Sequence, residues 1–225
     1  MTPSEYPDTG LTVVSVNTGG AAPLQVGERE ISSGIDKRPR SGPVAVGRLG
    51  LRGDRVMNHK HHGGPDQAVY LYSLEDYAHF LPLLQRELPP GSFGENLTLR
   101  GLESAGVRIG DRLEIGTALL EVTSPRIPCD TLVAHIGDPR FARTFREARR
   151  PGLYTRVLRG GEVEAGDRVT LTPSPVPTPT IAEMYELFFD PRPGREALER
   201  HLAAPIAIRA RQDYQERLDK LLERA

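Results

Sequence analysis

Four prolines fall within seven residues at Pro173-Ser174-Pro175-Val176-Pro177-Thr178-Pro179. Each fixes its own φ and pushes the residue before it toward an extended conformation, so neither a helix nor a central strand can run through the segment. It reads as an extended, semi-rigid linker, residues 173–179, between a domain over residues 1–172 and a smaller one over residues 180–225.

The two parts differ in pattern. Before the linker, short β-rich runs dominate: Leu11 to Val16, Pro43 to Val46, Gln67 to Tyr72, Leu97 to Leu99, Arg112 to Ile115, Ala118 to Val122, Tyr154 to Leu158 and Arg168 to Leu171. Gly110-Asp111 and Gly166-Asp167 supply turn chemistry ahead of two of them. One helix interrupts the series: Ser73 caps it with Asp76 at N3, Leu74, Tyr77, Phe80, Leu81 and Leu84 share a face, and Pro89-Pro90 bars its continuation. Strands at this spacing, without regular alternation of strand and helix, point to a β-barrel with flanking helices rather than a doubly wound sheet. The class is therefore mainly β with α. After the linker, Thr180 caps a helix carrying Ile181, Met184, Tyr185, Leu187 and Phe188, and two further helical stretches follow Asp190-Pro191-Arg192-Pro193. So short a segment cannot bury a large core alone, and the three helices are expected to lean on the barrel or on a second subunit, which would make a homodimer. Their amphipathic pattern reads as an appendage without chemistry.

The 225 residues are 38% hydrophobic and 26% charged, an ordinary globular balance. The 29 basic and 30 acidic residues nearly cancel, which argues against stable nucleic-acid or membrane-surface binding. No signal-peptide pattern opens the chain, no apolar run is long enough to span a bilayer, and a single cysteine cannot form an internal disulfide, so the expected location is cytoplasmic.

That cysteine, Cys129, lies in Ser124-Pro125-Arg126-Ile127-Pro128-Cys129-Asp130, where two prolines restrict the backbone and Arg126 stands three residues away. Electropositive surroundings favour thiolate, the form that acts as nucleophile or as ligand for soft metals. A second cluster, Asp36-Lys37-Arg38-Pro39-Arg40, puts three cations in a loop rich in Gly, Ser and Pro, suited either to gripping an anion or to lying solvated at the surface. Arg52-Gly53-Asp54 leads into His59-Lys60-His61-His62-Gly63-Gly64-Pro65-Asp66. Histidines 61 and 62 would point to opposite sides of an extended segment, so imidazole and Gly amide donors lining an anion pocket are favoured over a histidine metal site. Phe93-Gly94-Glu95-Asn96 is a further polar turn at the start of a strand.

Four of these motifs occur together and in order: Ser33-Gly34-Ile35-Asp36-Lys37-Arg38-Pro39, His62-Gly63-Gly64-Pro65-Asp66, Phe93-Gly94-Glu95-Asn96-Leu97 and Pro125-Arg126-Ile127-Pro128-Cys129. In this the chain resembles MOSC-domain proteins, most closely the YiiM subgroup, whose members also carry a carboxyl-terminal three-helix domain. The resemblance implies a β-barrel core that binds the molybdenum cofactor, molybdopterin, with Cys129 as molybdenum ligand. It also implies reduction of N-hydroxylated small molecules, such as hydroxylaminopurines and amidoximes, to amines or amidines. The expected cofactor contacts are Lys37, Arg38, Arg52, His61, Gly63, Gly64, Asn96 and Arg126, with His62 and Asp54 beside Cys129 as catalytic groups. Asp36, Arg40 and Arg126 are alternatively structural ion-pair residues. The chain has neither a ferredoxin-type four-cysteine pattern nor a Gly-x-Gly-x-x-Gly fingerprint, so electrons are expected from an external flavin- or NAD(P)H-dependent reductase. The alternative is a cofactor carrier or sulfur-transfer protein without reductive turnover.

Overall fold

The computed structural model describes residues 10–58 and 62–223. Thirteen strands and six helices follow one another among them: β1 (Thr12–Thr18), β2 (Ala22–Val26), β3 (Arg29–Ser33), β4 (Arg38–Pro39), β5 (Val44–Gly47), β6 (Gly50–Leu51), β7 (Val69–Ser73), α1 (Leu74–Leu84), β8 (Leu97–Arg100), β9 (Arg112–Ile115), β10 (Ala118–Pro125), α2 (Asp130–Ile136), α3 (Phe141–Ala148), β11 (Leu153–Arg159), β12 (Gly161–Val163), β13 (Val169–Thr172), α4 (Ile181–Phe189), α5 (Arg195–Leu202) and α6 (Ile208–Leu222). One eight-stranded sheet runs β13-β9-β10-β11-β7-β8-β1-β4, with β12-β5-β6 and the hairpin β2-β3 beside it.

The expected closed barrel is corrected in one respect. Pairing along the large sheet is antiparallel except between β7 and β8. Among the described residues, β1 meets the start of β13 at a Thr12–Arg168 bridge, with backbone bonds from Val13 N to Asp167 O (2.9 Å), Gly166 N to Val13 O (2.8 Å) and Val169 N to Leu11 O (2.9 Å). The sheet therefore curls until its edges touch but does not close as a continuous ladder.

The strand runs read from sequence all form. The hairpin β2-β3 and the short helices α2 (7 residues) and α3 (8 residues) were not picked out from the sequence. Ser73 caps α1 as expected, its Oγ accepting from Asp76 N at 3.1 Å, but the helix ends at Leu84, with Gln85 left-handed at φ 53°. Leu81 turns outward, and buried Asp76 replaces it on the inner face, held by Arg150 Nη1 at 2.9 Å. Thr180 and Glu183 form the capping box that starts α4.

The prolines do not make a free connector. Ile109 N donates to Pro179 O (2.9 Å), Ser174 N to Asp111 Oδ1 (2.8 Å) and the buried Thr178 hydroxyl to Ile109 O (2.6 Å), so the segment lies bound along the sheet. The following helices share one apolar cluster with the strands: Ile181, Met184, Leu198 and Tyr214 are buried with Val16, Val69, Leu113 and Val122. A second, aromatic cluster seats α1, α2 and α3 on the other side, with Phe93 within 5.7 Å, centroid to centroid, of Tyr72, Tyr77, Phe80, Phe141 and Phe145.

Glu95 fixes the turn that carries this ring cluster. Its buried carboxylate accepts from Tyr77 OH (2.9 Å), Gly91 N (2.6 Å), Phe93 N (3.2 Å) and Thr98 Oγ1 (2.7 Å). Removing the acceptor would leave Gly91 N, Tyr77 OH and Thr98 Oγ1 buried without the partner they donate to, while Phe93 N would keep Tyr77 OH at 3.1 Å. Glu95→Ala is expected to cost about 3–4 kcal/mol in urea denaturation, against under about 0.5 kcal/mol for exposed Glu28→Ala.

Candidate functional site

Strand β10 ends in Pro125, and the next residue, Arg126, is delivered into the interior, only 5% exposed. Its guanidinium carbon lies 5.0 Å from the centroid of the Tyr70 ring, on its face, and Nη1 reaches Tyr154 OH at 3.4 Å. No carboxylate among the described residues pairs with it, and its buried Nε has no hydrogen-bond partner. Three residues on, Cys129 is half-buried in extended backbone (φ −136°, ψ 166°) as the N-cap of α2, the conformation usual for a residue that starts a helix.

Across the cleft stands a second buried cation. Lys37, 8% exposed, is ion-paired with Asp54 Oδ1. Asp54 also accepts from Gly19 N at 2.9 Å and, through Oδ2, from Asn96 Nδ2 at 2.9 Å, so three loops are tied to one carboxylate. Burial lowers the Lys37 ammonium's pKa, and Asp54 opposes that shift. Gly34 explains its place in the same loop: a Cβ there would run into the Arg55 carbonyl.

Two cavities meet at Cys129. The first is a cleft of about 670 Å³ counted out to solvent, lined by Lys37, Asp54, Asn96, Arg126, His62 and Gly63 among others. The second, about 1000 Å³ on the same measure, lies between the sheet and the carboxyl-terminal helices, with Ser124, Ile127, Pro128, Met184, Phe188, Tyr214, Arg209 and Asp213 in its walls. Cys129, His62, Gln67 and Tyr154 belong to both. The helices lie against the site, since α4 and α6 form one wall of a cavity that reaches the thiol.

Of the residues singled out from sequence, the structure gathers Lys37, Asp54, His62, Gly63, Asn96, Arg126 and Cys129 around the first cleft. Arg38 is not in its walls: its side chain is 73% exposed and pairs with Asp36 at 3.0 Å. Arg52 is likewise exposed on the turn after β6 and outside both cavities, and Gly64, at φ 85°, starts the short turn before β7 without lining either. His61, with His59, lies outside the described residues. No group of three or more His, Cys, Asp or Glu side chains suited to a metal ion occurs among the described residues, so Cys129 stands as a single soft donor.

Arg209 was missed in the sequence, as no local pattern marks it. From the first turn of α6 it donates to Gly63 O (2.9 Å) and Gln67 Oε1 (2.7 Å), while Ile208 N donates to Asp66 Oδ2 (2.9 Å). The helix start thus clamps the Gly-rich turn. Tyr70 and Tyr154 were missed as site residues because each reads simply as part of a strand.

No helix among the described residues is long and apolar enough to cross a membrane. The sequence matches the family model described as the MOSC domain over residues 58–170. It is similar to the uncharacterized protein YflK of Bacillus subtilis, 31% identical over 94% of this chain and 96% of that one. A protein named "Reductase" from Gibberella moniliformis is 35% identical over 66% of this chain, which spans 27% of that longer protein. The crystal structure of YiiM from Geobacillus stearothermophilus superposes with a TM-score of 0.77 at 31% identity, covering 92% of this chain and 99% of that one. With that sequence match, that structural likeness and a thiol set among buried cations, the chain belongs to the MOSC-domain family, a family associated with the molybdenum cofactor, and is YiiM-like.

Proposed function

We propose that this protein holds the molybdenum cofactor in the cleft beside Cys129 and uses it to reduce N-hydroxylated small molecules to amines or amidines. The observation that carries the reading is Arg126, a buried guanidinium without a carboxylate partner and with an orphaned Nε, three residues from the chain's only thiol. An uncompensated buried cation is costly, and an anionic ligand offsets that cost. Molybdopterin presents soft sulfur at one end and phosphate at the other, and the donor set suits both. Cys129 Sγ would ligate the metal, while Lys37, Arg126, Asn96 and the amides of the His62–Gly63 turn would take the anionic parts. When bound, the cofactor supplies two-electron reduction of an N–O bond.

The chain's own groups supply position and protons. Reducing an N-hydroxylamine to an amine consumes two electrons and two protons and releases water. Asp54 is committed as acceptor to Lys37, Asn96 and Gly19, so its role is to hold the cleft in shape. His62, on the wall shared by both cavities, is the group placed to pass protons. The electrons would come from an external flavin- or NAD(P)H-dependent reductase. A pure carrier would have little use for a large second cavity at the thiol, and this favours turnover over carriage.

Cys129→Ser protein made in a molybdopterin-competent host is expected to retain less than about a tenth of the wild-type molybdenum by elemental analysis, and to lose N-hydroxylamine reduction with an artificial electron donor. Arg38→Ala and Arg52→Ala, both exposed, should keep molybdenum and activity within about twofold. Molybdenum retained in full by the serine variant would overturn the assignment.

Arg126→Met separates stability from function. Exchanging an unpaired buried charge for an apolar chain of similar reach should leave the cofactor-free protein at least as stable, by up to about 1–2 kcal/mol in urea denaturation, while molybdenum content falls.

His62 gives a pH signature. Burial, then the charges of Arg126 and Arg209, push its imidazole down to about 4 from 6.5. Between those values the unfolded chain binds more protons than the folded one, so stability falls as pH drops from about 6.5 toward 4. His62→Gln is expected to remove roughly 2 kcal/mol of the loss measured between pH 7 and pH 4 in the cofactor-free protein.

A further inference from the structure

The turn that borders the first cleft is held from the far end of the chain. Gly63 has no side chain and sits at φ 68°, so its peptide planes turn freely unless something outside fixes them. Within the turn His62 N donates to Asn58 O (2.9 Å) and Gln67 N to Gly64 O (3.1 Å), and neither bond aims the carbonyls of His62 and Gly63. Arg209 does. Its Nη1 donates to Gly63 O (2.9 Å) and Gln67 Oε1 (2.7 Å), and its Nη2 to His62 O (3.5 Å). The start of α6 that carries it is itself anchored: Asp66 accepts from Ile208 N (2.9 Å) and pairs with Arg156 Nε (3.1 Å), Arg156 Nη2 donates to Pro205 O (3.0 Å), and Ala207 N donates to Thr123 O (3.1 Å).

A trans peptide points its C=O and N–H in opposite directions, and no peptide bond among the described residues is cis. With His62 O drawn to Arg209, the Gly63 N–H faces the other way. Gly63 lines the first cleft and not the second cavity, Arg209 lines the second and not the first, and the Gly63 N–H donates to no described residue. We infer that Arg209 is a positioning residue for the anion grip of the first cleft: from the carboxyl-terminal helices, without entering the cleft, it holds the peptide between His62 and Gly63 in the orientation that offers the Gly63 amide to an anionic ligand. The identity of that ligand as part of the cofactor rests on the reading above; the orientation does not. The planar fork of the guanidinium, which meets three acceptors at once, does this where a point charge would not.

The test uses the full chain, cofactor-free and isotope-labelled at its glycine amides for magnetic resonance, with inorganic phosphate as the anionic probe. Molybdenum is measured in parallel on protein from a molybdopterin-competent host. Phosphate should move the Gly63 amide resonance of the wild type. Arg209→Met should shift that resonance before phosphate is added, weaken phosphate about tenfold and lower the molybdenum retained. Arg209→Lys restores the charge without the fork, and should still bind phosphate at least about threefold more weakly than the wild type. Exposed Glu216→Ala, on the same helix, should match the wild type throughout. A Gly63 resonance that phosphate leaves in place, an Arg209→Met affinity within about twofold of wild type, full recovery in the lysine variant, or changes spread over glycines throughout the chain would overturn the inference. If phosphate and the Arg209 variants behave as expected while no sample retains molybdenum, the positioning role stands and the cofactor reading fails.

Discussion

A buried guanidinium with no carboxylate ion-paired to it sets the terms for everything around it. The Arg126 guanidinium is buried against the Tyr70 ring, reaches the Tyr154 phenol and meets no carboxylate among the described residues. Cation–π contact, a long bond to a phenol and the nearby Cys129 and Glu95 oppose the cost of burying it. Its field, with burial, keeps His62 uncharged at neutral pH. Burial pushes the phenols of Tyr70 and Tyr154 up, so they remain neutral and do not act as counter-charges. Such a site is built at some expense of stability, as binding sites commonly are.

The surrounding fold holds that charge in place through two carboxylates with different tasks. Glu95 is fully enclosed and organises the turn from Gly91 to Thr98, which in turn seats Phe93 among the rings that dock α1, α2 and α3. Asp54 sits at the cleft wall, where it gathers Lys37, Asn96 and the Gly19 amide. The first serves packing and the second serves the site. They are connected through adjacent residues 95 and 96, whose backbone alternation sends one side chain inward and the other to the cleft.

Much of this was legible in the residues. Alternating and β-branched runs gave the strands of the large sheet, and the Ser73 and Thr180 caps marked two helix starts correctly, since both signals are local. The prolines at 125 and 128 foretold the restricted chain leading to Cys129, but not its place as the residue that starts α2. What stayed hidden depends on contacts distant in sequence. Lys37 and Arg38 are neighbours of the same chemistry, yet one is buried against Asp54 and the other is solvated; only the strand pairing of β4 with β1 separates them. Gly166 N and Val13 O, which bring the sheet's edges together, lie more than a hundred residues apart, and no periodicity reports whether such edges join in a full ladder. Arg209 shows the same limit, because its partners at Gly63 and Gln67 lie in another part of the chain.

The division of labour across Cys129 has a bearing on how such a protein can diversify. One wall of the site comes from the loops of the curled sheet and the other from α4 and α6, which follow the proline segment in sequence. Exchanges among Met184, Phe188, Ala210 and Tyr214 alter the shape offered to incoming molecules without touching Lys37, Asp54 or Arg126. Changes in the tail can therefore reshape that cavity while the cleft around Lys37, Asp54 and Arg126 keeps its geometry. Arg209 sets the limit on that freedom, since losing it would slacken the glycine turn that borders the cleft.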